Sequence, residues 1–136
     1  ILTRENAEGW DEIGASHTFH EIQMYYPMRV VRDRDYKLIW NIAHPLPFPF
    51  ASDLWAAPTW QAQYKQGPSA KYGQRTVQAY IKRPEFELFD MRGDPNEAKN
   101  LAGNPKHYEL LQRYKEKLKA MQKRSGDPWI IKWRYE

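Results

Sequence analysis

The sequence contains no cysteine among its 136 residues. The chain therefore has neither a disulfide framework nor a thiol nucleophile. It also lacks any run approaching the roughly 20 apolar residues that a membrane helix requires, so we expect no membrane partner. The first 16 residues are polar, without the apolar stretch of a signal peptide, and the chain begins with Ile1 rather than Met. We therefore expect residues 1–16 to be a leading segment that joins residues 17–136 to a missing domain.

Several catalytic signatures are absent as well. The sequence has no glycine-rich phosphate loop, no Gly-x-Ser-x-Gly turn and no cysteine–histidine arrangement. These absences exclude a nucleophilic enzyme built from this chain alone. We assign no catalytic residue to it.

Cations exceed carboxylates only in the last quarter of the chain. From Pro105 to the end there are 9 Lys and Arg against 4 Asp and Glu, whereas the preceding residues carry 12 against 13. Such a basic stripe can bind nucleic acid or an acidic glycan, but lysines on the outer face of a helix are more often solvated. We expect a solvated face, and no nucleic-acid partner because the RNA-binding sheet signature is missing.

Aromatic residues make up 15% of the chain and ten prolines accompany them. Rings of this kind can be stacking platforms for sugars or bases, but they are more commonly core residues and loop anchors. Prolines at four positions between residues 43 and 58 exclude a continuous helix or a central strand there. We expect a long packed loop, one helical turn after Ser52, and a short helix capped by Thr59 that ends near Gln66.

Period-two patterns predict the strands. They cover residues 19–26, ended by Pro27; 29–32 and 36–42, joined by an Asp33-Arg34-Asp35 turn; and 76–82 and 84–90. Residues 69–74 are expected to be mobile, residues 97–102 to form one helical turn, and residues 129–135 to be a strand or extended tail.

The clearest helix begins at Asn104-Pro105, an N-cap residue followed by proline at the first helical position. Its apolar stripe is Tyr108, Leu111, Tyr114, Leu118 and Met121, and Gly126 follows its end. The predicted fold class is α+β, with an antiparallel sheet of about four strands packed against this long C-terminal helix.

His17, His20 and Glu21 form the densest cluster of reactive side chains. A zinc site needs further ligands of the right type, and only His44 and His107 remain as histidines, so we assign no metal ligand. A histidine–carboxylate pair can act as general acid or base, and a polar loop that satisfies its own hydrogen bonds is the simpler interpretation. We expect turn residues rather than calcium ligands at Asp33, Asp35, Asp90 and Asp94, because the 12-residue calcium loop is absent.

Several short motifs together resemble the C-terminal subdomain of the sulfatase family. Two of them, Tyr36-Lys37-Leu38-Ile39 and Glu87-Leu88-Phe89-Asp90, are typical of sulfatases in general. Three narrower motifs point to the heparan N-sulfatase, or sulfamidase, branch: Tyr26-Pro27-Met28-Arg29, Pro47-Phe48-Pro49 and Asp127-Pro128-Trp129. The resemblance covers residues 17–129.

The resemblance implies an alkaline-phosphatase-like hydrolase of N- or O-sulfated sugars whose N-terminal catalytic domain is the partner of this subdomain. The formylglycine nucleophile and the calcium ion would lie in that missing domain. His17, His20 and Glu21 would lie at the pocket rim and hydrogen-bond the sugar. Arg29 would contact an anionic substituent, or form a structural ion pair. The family also implies a secreted, periplasmic or lysosomal protein. The alternative is a non-catalytic glycan-binding or structural module.

Overall fold

A computed structural model describes residues 9–20 and 24–135. Four strands form one antiparallel sheet in the order β1-β2-β3-β6, with β1 at Ile13–His20, β2 at Met24–Arg32, β3 at Tyr36–Asn41 and β6 at Phe86–Asp90. β3 and β6 pair with Leu38 opposite Leu88. A two-stranded hairpin joins β4 (Lys71–Tyr72) to β5 (Arg75–Thr76). The predicted α+β class and sheet are confirmed.

Within the described residues, four α-helices accompany the strands: α1 (Ser52–Ala56), α2 (Pro58–Tyr64), α3 (Val77–Ile81) and α4 (Tyr108–Ser125). Short 3₁₀ helices cover Pro105–His107 and Pro128–Arg134. No helix in the described residues is long and apolar enough to cross a bilayer.

The chain divides into two compact units. The helix unit comprises the described parts of residues 1–16, 29–40 and 86–136, and the aromatic unit comprises the described parts of 17–28 and 41–85.

In the helix unit, α4 buries one of its faces. Leu111, Tyr114, Leu118 and Gln122 are its buried positions, whereas Tyr108 is exposed, which corrects the start of the predicted stripe. The Tyr114 ring meets the Tyr36 ring edge to face at 5.8 Å. Asn104 caps the helix entry by accepting from the Lys106 N–H, as predicted.

The end of α4 also follows its sequence signal. Gly126 takes a left-handed conformation at φ 65°, which costs glycine little because it has no Cβ. The following residues do not form the predicted strand or extended tail. They form a 3₁₀ helix because Asp127 caps the Trp129 N–H and the Trp133 ring stacks on Trp40 at 4.0 Å.

The aromatic unit is organised around Trp60, which is fully buried. Its ring contacts the rings of Phe50, Tyr64, Tyr72 and Tyr80 at centroid distances of 4.5 to 6.1 Å. Pro58 occupies the first position of α2, so Thr59 lies inside the helix and is not its cap. The helical turn after Ser52 is confirmed.

Four further strand and loop predictions are wrong. β2 continues through Pro27, whose carbonyl accepts the N–H groups of Ile42 and Ala43. In place of the strand predicted for residues 76–82, Val77–Ile81 form α3 because the Thr76 hydroxyl caps the Ala79 N–H. Residues 71–76 form a hairpin with Gly73 at φ 64°, whereas no regular structure is predicted for residues 69–74.

The fourth error concerns residues 97–102, which form no helical turn. The Asn100 side chain instead holds this segment beside β6. Its Oδ1 accepts from the Leu88 N–H at 2.8 Å and its Nδ2 donates to the Phe86 carbonyl at 2.9 Å.

Candidate functional site

The two predicted histidines both lie in β1, in the aromatic unit. The Nδ1 atom of His17 is 3.0 Å from the Tyr26 carbonyl oxygen, so a half-buried His17 is bound to β2. His20 ends the strand and is exposed. Because side chains alternate along a strand, residues three apart point to opposite faces. The structure therefore does not bring the two rings together, and Glu21 lies outside the described residues.

Arg29 lies in the helix unit and is only 3% exposed. Its Nε donates to Asp127 Oδ2 at 2.5 Å and its Nη2 to Oδ1 at 2.9 Å. These bonds from Arg29, opposed by burial and supported by Gln122 and the Trp129 N–H, lower the pKa of Asp127 to about 2. The two-pronged contact favours the structural ion pair. Binding of an anionic substituent by Arg29 stays a prediction.

Asp33 anchors α4 to the turn between β2 and β3. Lys117 donates to its Oδ2 at 2.7 Å, and the Tyr114 hydroxyl donates to the same atom. Burial alone would raise the pKa of Asp33, but these hydrogen bonds and those of the turn hold it well below its usual range. Burial and the Asp33 carboxylate raise the pKa of Tyr114, so its hydroxyl stays protonated at neutral pH.

The carboxylates considered as calcium ligands serve turns. Asp33 Oδ1 accepts from two backbone N–H groups of its own turn, and Asp90 Oδ1 accepts from those of Arg92 and Gly93. Asp94 accepts from the Lys99 N–H, and Asp35 pairs with Arg92. Within residues 9–20 and 24–135, no three histidine, cysteine or carboxylate side chains come together as a metal site.

The aromatic unit contains two adjoining clefts. The aromatic cleft, of about 410 Å³, is lined by Met24, Pro47, Phe48, Pro49, Phe50, Trp55, Tyr64 and Ile81. The lysine cleft, of about 510 Å³, is lined by Tyr64, Gly67, Pro68, Val77, Gln78, Ile81 and Lys82. Tyr64 and Ile81 border both. Their volumes are in the range of small-molecule sites.

Curated relatives decide the family. The chain is 33% identical over 125 residues to human N-sulphoglucosamine sulphohydrolase, covering 89% of this chain and 24% of that protein. It is 31% identical over 105 residues to the ulvan-active sulfatase of Formosa agariphila, covering 74% of this chain and 17% of that protein. The chain belongs to the sulfatase family. Like the predicted C-terminal subdomain, it spans a quarter or less of these relatives.

Solved sulfatase structures share the fold. A 2-O GAG sulfatase superposes with a TM-score of 0.52 at 20% identity, covering 88% of this chain and 17% of that one. A second sulfatase structure, from Bacteroides thetaiotaomicron, gives 0.54 at 19% identity, covering 93% and 18%. No family model matches the chain.

This sulfatase subdomain holds functional candidates that the sequence reasoning missed. The sequence predicts neither cleft, because prolines and aromatic residues in a loop indicate packing and not a cavity. One sequence signal was available: residues 54–84 carry five Lys and Arg and no Asp or Glu. The total charge of residues 1–104 is nearly balanced, so it does not reveal this basic stretch.

Proposed function

We propose that this chain is the C-terminal portion of a heparan N-sulfatase-type hydrolase. In the intact protein it braces the catalytic domain and helps form the pocket for N- or O-sulfated sugars. The observation that carries this proposal is 33% identity to N-sulphoglucosamine sulphohydrolase over 89% of the chain.

The reacting groups belong to the remainder of such a protein. The chain has no cysteine, and none of its serines begins the Ser-x-Pro-x-Arg pattern from which a formylglycine is made. Asp33 and Asp90 serve turns and Asp127 serves an ion pair. Within residues 9–20 and 24–135, no three possible metal ligands come together, so the described residues do not fit a calcium site. No hydrolytic step is therefore assigned to these residues.

Exposed apolar side chains on the strands support the bracing role. In the aromatic unit, Phe19 of β1 is 67% exposed and Tyr25 of β2 is 48% exposed. β1 is an edge strand, and natural proteins usually cover or charge such edges. A catalytic domain packed here would bury both rings.

The rim role is assigned to His20 first. Its ring is exposed at the end of β1, whereas the His17 ring is held by the Tyr26 carbonyl. We expect His17 to position the strand and His20 to hydrogen-bond the substrate.

The alternative, a glycan-binding module that uses the basic face of α4, has weaker support. Lys117 pairs with Asp33 and Glu12, and Lys119 pairs with Glu116. The Lys115 ammonium lies 3.8 Å from the centre of the Phe86 ring. Lysines held this way have little freedom to bind a further anion.

Sulfate release by the full-length protein tests the proposal. We expect hydrolysis of an N-sulfated or O-sulfated glucosamine substrate. His20→Ala should raise KM several-fold with little change in kcat, because one hydrogen bond is worth about 1 kcal/mol. His107→Ala, in the helix unit, is the matched control and should leave both constants unchanged. Absence of sulfate release from every substrate would refute the proposed activity, and an unchanged KM in His20→Ala would refute the rim role.

A further inference from the structure

Residues 54–84 form the one long stretch of the aromatic unit that carries cations without carboxylates. Its cations are Lys65, Lys71, Arg75, Lys82 and Arg83. Lys65, Lys71 and Lys82 are exposed, and no acidic group in residues 9–20 or 24–135 lies within ion-pair distance of these three. Their positive charge therefore stays available to an anion in solution.

The same stretch also exposes aromatic rings. Trp55 is 41% exposed and Tyr64 is 40% exposed, and their centroids are 4.9 Å apart in an edge-to-face arrangement. Both rings line the aromatic cleft. Tyr64 continues into the lysine cleft, where Lys82 and Gln78 supply polar groups, and Lys65 directly follows Tyr64 in the chain.

Backbone hydrogen bonds hold the walls of both clefts in place. The Phe48 N–H donates to the Ile81 carbonyl at 2.8 Å, which fixes the proline-rich loop beside α3. The Gln78 N–H donates to the Pro68 carbonyl at 3.0 Å, which fixes the far wall of the lysine cleft. A preformed site binds without a further cost of ordering its loops.

We infer that the two clefts bind a sulfated oligosaccharide, with a sugar ring against Trp55 and Tyr64 and sulfate groups beside Lys65 and Lys82. The apolar face of a pyranose suits an exposed aromatic ring, and a lysine ammonium is a strong donor to an anionic oxygen. The ligand class rests on the proposed function, whereas the location rests on the charges and rings of residues 54–84.

A charge-reversal pair in the full-length protein tests this inference. The variant K65E/K82E changes Lys82, which lines the lysine cleft, and Lys65, which directly follows the cleft residue Tyr64 in the chain. The control K106E/K123E makes the same change at two exposed lysines of the helix unit. Affinity for a heparin-derived octasaccharide would be measured by titration calorimetry at two salt concentrations. We expect K65E/K82E to weaken binding about ten-fold or more and to reduce its salt dependence, since fewer counterions are exchanged. The control should change the affinity less than about two-fold.

Two further arms separate the kinds of contact. Trp55→Ala should weaken binding about five-fold while leaving the salt dependence unchanged, because a stacking contact involves no counterion. Octasaccharide from which the sulfates have been removed should bind at least about ten-fold more weakly.

Several results would overturn the inference. The first is an equal loss of octasaccharide affinity in K65E/K82E and in K106E/K123E. The second is binding that survives removal of the sulfates, and the third is tighter binding of a polynucleotide of the same charge than of heparin. Hydrolysis of a monosaccharide substrate is measured in parallel. If no sulfate is released but K65E/K82E binds the octasaccharide more weakly than the wild type, the proposed function fails and the binding surface stands. If hydrolysis is normal and the cleft variants bind as wild type, only the binding surface fails.

Discussion

The ion pair between Arg29 and Asp127 is expected to hold the end of α4 in the helix unit. Asp127 is 11% exposed and accepts two hydrogen bonds from Arg29, one from Gln122 and one from the Trp129 N–H. Arg29→Met retains most of the apolar stem but leaves this carboxylate without its counter-charge. Removing one partner of a buried pair typically costs about 3–5 kcal/mol.

The pKa of Asp127 gives an independent magnitude. The Arg29 hydrogen bonds, against the opposing effect of burial, lower the pKa from 3.8 to about 2. At about 1.4 kcal/mol per unit, this corresponds to roughly 2 kcal/mol of folding free energy. Because the folded-state pKa is lowered, this stabilisation is fully present above about pH 4 and is lost as the pH falls through 2.

A double-mutant cycle on the full-length protein checks both numbers. Hydrogen exchange of α4 amides would report the free energy of opening for Arg29→Met, Asp127→Asn and the double variant. We expect a coupling energy of about 2 kcal/mol or more at pH 7 that shrinks toward pH 2. Single-variant costs that add to within about 0.5 kcal/mol at pH 7 would refute the argument that the pair acts as a unit.

Three substitutions, two at glycines and one at a loop asparagine, are expected to lower the free energy of opening of the helix unit. Gly14→Ala places a Cβ in the space of the Met121 side chain, which must shift, so it should cost about 1–3 kcal/mol, whereas Gly103→Ala meets nothing within 4 Å and should be near neutral. Gly126→Ala forces a Cβ into the left-handed conformation at φ 65° and should cost about 1 kcal/mol; an unchanged α4 exchange rate would contradict this. Asn100→Ala removes three hydrogen bonds to backbone groups and should cost about 2–3 kcal/mol, measured by exchange of β6 amides.

Elements with a local chemical signal were predictable from the sequence. Asn104 followed by proline starts the 3₁₀ helix that leads into α4, because the Asn104 side chain satisfies one orphan N–H. The Asp33 side chain closes the turn between β2 and β3 through two backbone N–H groups. Gly126 ends α4 because glycine alone adopts φ 65° without strain. Each of these features depends on residues within a few positions of one another.

Elements fixed by distant partners were not predictable in this way. Trp129, Ile131, Trp133 and Tyr135 alternate as in a strand. The segment is nevertheless a 3₁₀ helix, in which the Trp133 indole N–H donates to Gln122 Oε1 at 2.6 Å. A fully buried glutamine on the apolar face of α4 has no sequence signal, because its partner becomes known only when the chain is folded.

The candidate binding surface illustrates the same limit for charge. The lysines of α4 produce the cationic excess of the last quarter, yet Lys117 is neutralised by Glu12 and Asp33, which lie far away in the sequence. The basic character of residues 54–84 does not show in the net charge of the first three quarters of the chain, because carboxylates on either side of the stretch offset its five cations. A charge total describes solubility, whereas binding depends on which charges lack partners after folding. Lys65 and Lys82 meet that condition among the residues that the structure describes. For this reason the proposed glycan surface lies in the aromatic unit and not on the basic helix.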